Sequence, residues 1–337
     1  MERRGVIRIG AGLTAGGAII VGTAAASAEN QPPAQAEQDT LNARELAGRI
    51  KDIYEAESER AGGTWQAEIT VLDGDDPPIP AVDADSGSVQ TAASMNKLAI
   101  ALGVLDKVDR GEAALDDRIT LDQDIILGGS GLYFHQAAFG DELTVANILV
   151  ALLLVSDNTA VRLCGLVCPP AEINQTLEAK GFTDTRVIPS EDNPDRMWLG
   201  DTTAHELNDL LHRLALGELL SETGTGAMLG ILRGLSGYHD GFRRNMSSAQ
   251  RSRIAMKYGA DGPDRNEAGV VYTADGAPAV VYAFTTQTEG HEDDYGATHP
   301  AVEAKAAMGR QIIDALDRTE LAAPPAAGID LQDPDGQ

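Results

Sequence analysis

The apolar residues of this chain change their period twice, and that change restricts the fold more than any single motif does. Leu41, Leu46, Ile50, Ile53 and Tyr54 recur at helical spacing, residues 65–73 read as a strand, and Asp73-Gly74 with Pro77-Pro78 mark a turn before a weaker strand toward Gln90. The middle is helical: a helix from Ser94 to about Val108, an apolar segment at 143–155, a short amphipathic stretch at 171–180, and helices from about Thr203 and Leu220. After about Ser252 the period becomes two. Residues 253–260 form one strand, and 267–273 and 279–286 flank Asp275-Gly276, a hairpin signal, before a last helix at about 300–316. Strands and a helix at each end around a helical insert predict an α/β (α+β) fold. The ends join as one antiparallel sheet covered by the terminal helices, 40–93 with 240–320, and residues 94–239 form an inserted all-helical lobe.

The ends carry other information. Arg3 and Arg4 precede a Gly/Ala-rich, weakly apolar stretch ending at Ala26-Ser27-Ala28. This resembles a twin-arginine export signal, so residues 1–28 are expected to be removed after Ala28 and the protein to work outside the cytoplasm. Residues 29–39 read as a linker and 321–337 as a disordered tail.

A net charge of −26, with 52 acidic against 26 basic residues, repels phosphate backbones and anionic headgroups, so neither nucleic acid nor a stable membrane partner is expected. A monomer with a small-molecule substrate is. The acid excess with only six lysines fits a halophilic source or an ordinary acidic exported protein. On the halophilic reading the charge repels itself when unscreened, so the thermal midpoint should rise between low and molar salt; a flat midpoint removes that reading. Cys164 and Cys168, near the end of a helix before Pro169-Pro170, are two buried thiols or a local bridge, with too few neighbouring ligands for a metal.

Three short motifs carry chemistry together. Ser94-Met95-Asn96-Lys97 places a hydroxyl at a helix start and an amine one turn on, where desolvation turns an amine into a base. By itself this is equally a capping serine with a solvated lysine. Ser156-Asp157-Asn158 ends the apolar run and presents a hydroxyl and a carboxamide at a cleft, or caps the next helix. Lys257-Tyr258-Gly259-Ala260 lies on a strand whose alternation turns Lys257 away from Met256; on the buried side beneath Ser94 it would supply positive charge, with Gly259 letting backbone approach a ligand, and otherwise it is a surface lysine on an edge strand. Gly128-Gly129-Ser130-Gly131-Leu132 does not complete a nucleophile elbow, and His205-Glu206 lacks a second histidine for zinc.

In that order the motifs resemble those of the class A β-lactamases and penicillin-binding proteins. The flanks Ala92-Ala93 and Thr159-Ala160, Gly-Asp-Thr-Thr at 200–203, and Ala268 to Tyr272 are similar too. The resemblance implies a β-lactamase/transpeptidase-like fold without cofactor or metal. It makes Ser94 the nucleophile, Lys97 its base, Ser156 the proton relay, Asn158 the binder of a substrate amide, and Lys257 a support for Ser156 and a substrate carboxylate. The N–H groups of Ser94 and Ala260 would form the oxyanion hole. Arg186 opens the family's loop and Glu191 matches its water-activating glutamate, with Asn193 or Asp195 in place of the usual asparagine partner. Two departures stand out: that loop is short, and Tyr258 replaces a small hydroxyl residue, leaving Arg265 as the candidate carboxylate-binding cation. A β-lactam hydrolase acting through an acyl-serine is therefore expected. A same-fold peptidase or esterase and a penicillin-binding or sensor protein without turnover are the alternatives.

Overall fold

The computed structural model describes residues 40–324; the expected signal, the linker and the end of the tail lie outside them. Asn42 caps helix α1 (Ala43–Ala61) in a reciprocal box with Glu45, and β1 (Thr64–Val71), β2 (Ile79–Ala84) and the short β3 (Gln90–Thr91) follow. A 3-10 turn at Ala93–Asn96 leads into α2 (Lys97–Asp109). Next come β4 (Arg118–Leu121), β5 (Asp141–Thr144), α3 (Val145–Leu154) capped by Thr144, α4 (Asn158–Val167) capped by Asp157, and α5 (Pro170–Ala179). The strands β6 (Arg186–Pro189) and β7 (Met197–Thr202) precede α6 (Ala204–Ala215), capped by Thr203, and α7 (Glu222–Arg233), capped by Ser221. The short α8 (Ser248–Arg251), strands β8 (Ile254–Asp261), β9 (Asp264–Tyr272) and β10 (Pro278–Gln287), and α9 (Pro300–Leu316) complete the order.

The main sheet runs β2-β1-β10-β9-β8 with antiparallel neighbours throughout, so the two ends of the chain share one sheet as the change of period predicts. Both of its faces are covered, and alternation sorts them. Val280, Tyr282 and Phe284 of β10 join the core under α1 and α9, whereas Val281 and Ala283 join the core of the helical lobe. Tyr54, Trp65 and Phe284 interlock on the first face, with Tyr54 and Phe284 stacked at 6.4 Å and Trp65 edge-on to both. On β8, Ile254 and Met256 face α1 and α9, while Ala255 and Lys257 face the helical lobe.

The lobe at 94–239, expected to be all-helical, also carries strands: a β4–β5 ribbon and β6–β7, which pairs with β3 from before the lobe. These short strands find their partners across turns and remote segments rather than through a local period. The tail expected to be disordered from 321 does not begin there. Ala322 accepts from the Gly74 N–H at 2.8 Å and donates to the Asp73 carboxylate at 2.8 Å, and Leu321 packs on the sheet core, because the turn after β1 presents groups that need partners. Cys164 and Cys168 are free buried thiols, and burial pushes the Cys168 thiol up to about 12. Among the described residues no helix is long and apolar enough to cross a membrane.

Candidate active site

Ser94 stands on the 3-10 turn rather than on the first turn of an α-helix; α2 begins at Lys97. The turn is tightened from outside. The Asn96 carboxamide nitrogen lies 2.6–3.0 Å from the carbonyls of Arg186, Leu199 and Asp201, and the Ala92 N–H donates to the Gly200 carbonyl at 2.9 Å. Ala93 is left at φ 46°, a conformation held by these surroundings and not by preference. In a 3-10 turn residues three apart eclipse, so Ser94 and Lys97 stack on one side.

The Lys97 amine reaches the Ser156 carbonyl at 2.5 Å, its hydroxyl at 3.0 Å and the Asn158 carboxamide oxygen at 2.8 Å. From the sheet side, the Lys257 amine reaches the same Ser156 hydroxyl at 3.0 Å and the Tyr258 carbonyl at 2.7 Å. Both lysines are fully buried. Burial outweighs the nearby Asp157 carboxylate and lowers Lys97 to about 7; burial and the charge of Lys97 push Lys257 down as well. One hydroxyl thus bridges two amines whose affinity for a proton burial has lowered. Ser156 itself sits at φ 55°.

Asp157 explains the middle position of the Ser156-Asp157-Asn158 motif. Its carboxylate accepts from the N–H groups of Leu132, Tyr133 and Ala160 at 2.6–2.9 Å, so it caps α4 and also anchors the glycine-rich loop 128–132 over the cleft. A side chain at Gly131, φ 106°, would collide with Asp157. Asn158 donates to the Gly128 carbonyl at 3.0 Å. On the other wall, a side chain at Gly259 would lie 2.9 Å from the backbone nitrogens of Ser94 and Met95, so only glycine lets β8 come this close to the nucleophile turn.

A cavity of about 550 Å³ opens on this group, lined by Ser94, Ser130, Ser156 and Asn158 on the helical side and by Tyr258, Gly259, Ala260 and Arg265 on the sheet side. Eight of the ten residues expected from sequence converge here: Ser94, Lys97, Ser156, Asn158, Lys257, Tyr258, Gly259 and Ala260. Two do not fill the expected places. Glu191 is exposed on the connection of the β6–β7 hairpin and does not line the cavity. The 2.8 Å Arg186–Asp201 ion pair and the β6–β7 ladder close the segment on itself and keep Glu191 outward. Arg265 borders the cavity, but its buried guanidinium is committed to the carbonyls of Gly262, Asp264, His291, Glu292 and Asp294, and stacks on Tyr295 at 4.4 Å. Its N–H groups are engaged by backbone and not free for a substrate carboxylate. Sequence reasoning missed Tyr238, which stacks on Tyr258 at 4.0 Å, and discarded Ser130 with its loop. The run of glycines there was the available signal. Among the described residues no cluster suits a metal ion.

A five-stranded sheet, a helical lobe and a Ser–Lys–Ser–Lys group at their junction define the β-lactamase/transpeptidase-like fold. The chain belongs to the β-lactamase enzyme family, whose model matches residues 45–316. It is similar to the crystal structure of a β-lactamase from Sphaerobacter thermophilus DSM 20745 (23% identity, 82% of this chain and 98% of that one, TM-score 0.63). An ancestral class A β-lactamase is 23% identical over 79% of this chain and 99% of that one, with TM-score 0.63. A PBP-A variant solved as an acyl-enzyme complex with penicillin G is 21% identical over 82% and 98%, with TM-score 0.62. No curated protein matches the sequence.

Proposed function

We propose that this protein opens β-lactam rings by forming an acyl-serine at Ser94. The observation that carries the reading is the Ser156 hydroxyl held 3.0 Å from two buried amines, one of them lowered to about 7. Neutral Lys97 takes the proton of Ser94 as its oxygen attacks the amide carbonyl, while the N–H groups of Ser94 and Ala260 receive the developing negative charge. The C–N bond then breaks. The leaving nitrogen takes a proton from Ser156, which is restored from Lys97 through their hydrogen bond, so the proton lost by Ser94 ends on the nitrogen. Asn158 offers its carboxamide to the substrate amide, and Lys257 holds Ser156 in line.

Release of the acyl group needs an activated water, and the position of Glu191 supports a second reading. With that carboxylate outside the cavity, a penicillin-binding or sensor protein that keeps its adduct is favoured over rapid turnover. Intact mass spectrometry with benzylpenicillin tests both steps. A single adduct of one penicillin mass, or penicillin consumed without a lasting adduct, is expected; intact penicillin with no adduct at all sinks the proposal. The Glu191→Gln protein should gain and lose this adduct at the wild-type rate, since an exposed side chain outside the cavity has no water to activate there. Accumulation on the variant alone would return Glu191 to the site.

A further inference from the structure

The two N–H groups that would receive the oxyanion belong to different elements, Ser94 to the 3-10 turn and Ala260 to β8, so the distance between them has to be held. Contact at Gly259 stops the strand and the turn from closing further but cannot keep them together. Asn266 can. It stands on β9 directly opposite Gly259, is buried, and lines the same cavity as Ser94 and Ala260. Its carboxamide nitrogen donates to the Thr91 carbonyl at 3.1 Å and lies 3.5 Å from the Ala92 carbonyl. The latter also accepts from the Met95 N–H at 3.1 Å, the bond that closes the turn. The carboxamide oxygen accepts from the Thr286 N–H at 3.0 Å. That N–H falls to a side chain because the β9–β10 pairing lapses between Phe284↔Glu267 and Gln287↔Asp264. In the same gap the Lys305 amine and the Thr286 hydroxyl both donate to the Arg265 carbonyl, so side chains complete the sheet where backbone does not.

We propose that Asn266 is a positioning residue that sets the width of the oxyanion hole, one carboxamide tying the turn that carries the Ser94 N–H to the sheet that carries the Ala260 N–H. The inference rests on Ser94 being the acylated nucleophile. The Ala92 N–H and the Asn96 and Lys97 side chains all bond toward the helical lobe, so without Asn266 the turn would follow that lobe and drift from β8. A bound substrate loses little by such a drift, whereas the tetrahedral intermediate loses a donor.

Acylation by benzylpenicillin separates binding from chemistry. Asn266→Ala should lower the limiting acylation rate about 10²-fold, the cost of one lost oxyanion donor, while the concentration giving half that rate stays near wild type. The pH midpoint of the rate should not move, because the contacts of the Lys97 amine are untouched. A limiting rate equal to wild type overturns the inference, and so does a loss confined to binding or a shifted pH midpoint. Hydrogen exchange of the Asn266 carboxamide, followed by NMR in the wild type, needs neither substrate nor variant and covers an Asn266→Ala chain that fails to fold. Bonded to Thr91, this group should exchange far more slowly than an exposed carboxamide, and exchange at the exposed rate overturns the brace. A wild-type protein that neither consumes benzylpenicillin nor holds it covalently removes the acyl-serine reading instead, and the carboxamide measurement then decides the brace alone.

Discussion

The Ser94→Ala protein should take up no β-lactam adduct at any time or concentration, while its far-ultraviolet circular dichroism and thermal midpoint stay close to wild type. The side chain is half-buried on a turn held by other groups: the Asn96 carboxamide, the Gly200 carbonyl and the close approach of Gly259. Removing one hydroxyl leaves all of these in place, so chemistry is lost without the fold. Ser156 and Ser130 also line the cavity, which makes the control informative. Peptide mapping that finds the label on either of them, in wild type or variant, would remove Ser94 as the nucleophile.

Lys97 should reveal itself twice, in rate and in stability. Only its neutral form can take the serine proton, so the acylation rate should climb through pH 7 and level off above it. Lys97→Met should lower that rate about 10²–10⁴-fold and flatten the profile. The same lowered pKa has a cost in stability. The unfolded chain, with lysine near 10.5, binds a proton that the folded chain has lost from about pH 7 upward. The burden is therefore full below pH 7, falls as pH rises from 7 to 10.5, and is gone above. Urea unfolding of wild type and Lys97→Met at pH 6 and pH 10 isolates this group. The stability of the variant relative to wild type should drop between the two by a few kcal/mol, on the order of 1.4 per pKa unit. A constant difference would mean that Lys97 titrates as an ordinary solvated lysine, and the proton transfer assigned to it would go too.

The comparison between what the chain announces and what it builds is clearest on β8. Period two alone puts Lys257 on the opposite face from Met256, and the structure has Met256 in the core under α9 and Lys257 against Ser156. Helix starts were equally legible, since Thr144, Asp157 and Thr203 each cap the backbone within their own few residues. The β6–β7 hairpin was not. It has only four and six residues, lacks a clean alternation, and is held largely by Asn96 and β3 from elsewhere in the chain. Its partners are remote, so its sequence reads as a loop, and only the family resemblance points Glu191 to the cleft.

Sequence by itself determined the longer helices and the outer strands, the faces of the main sheet and the order of the serine and lysine motifs, because period, caps and glycines act through near neighbours. Tertiary structure decided the chemistry of those residues. Lys97 is a base candidate only because packing from both lobes removes its water, and Arg265 is a structural cation only because the carbonyls of 291–294 surround it. Tyr258 and Ser130 line one cavity only because a loop more than a hundred residues earlier comes to the edge of β8. Desolvation and the choice of hydrogen-bond partner depend on what arrives from distant parts of the chain, and no local pattern records that.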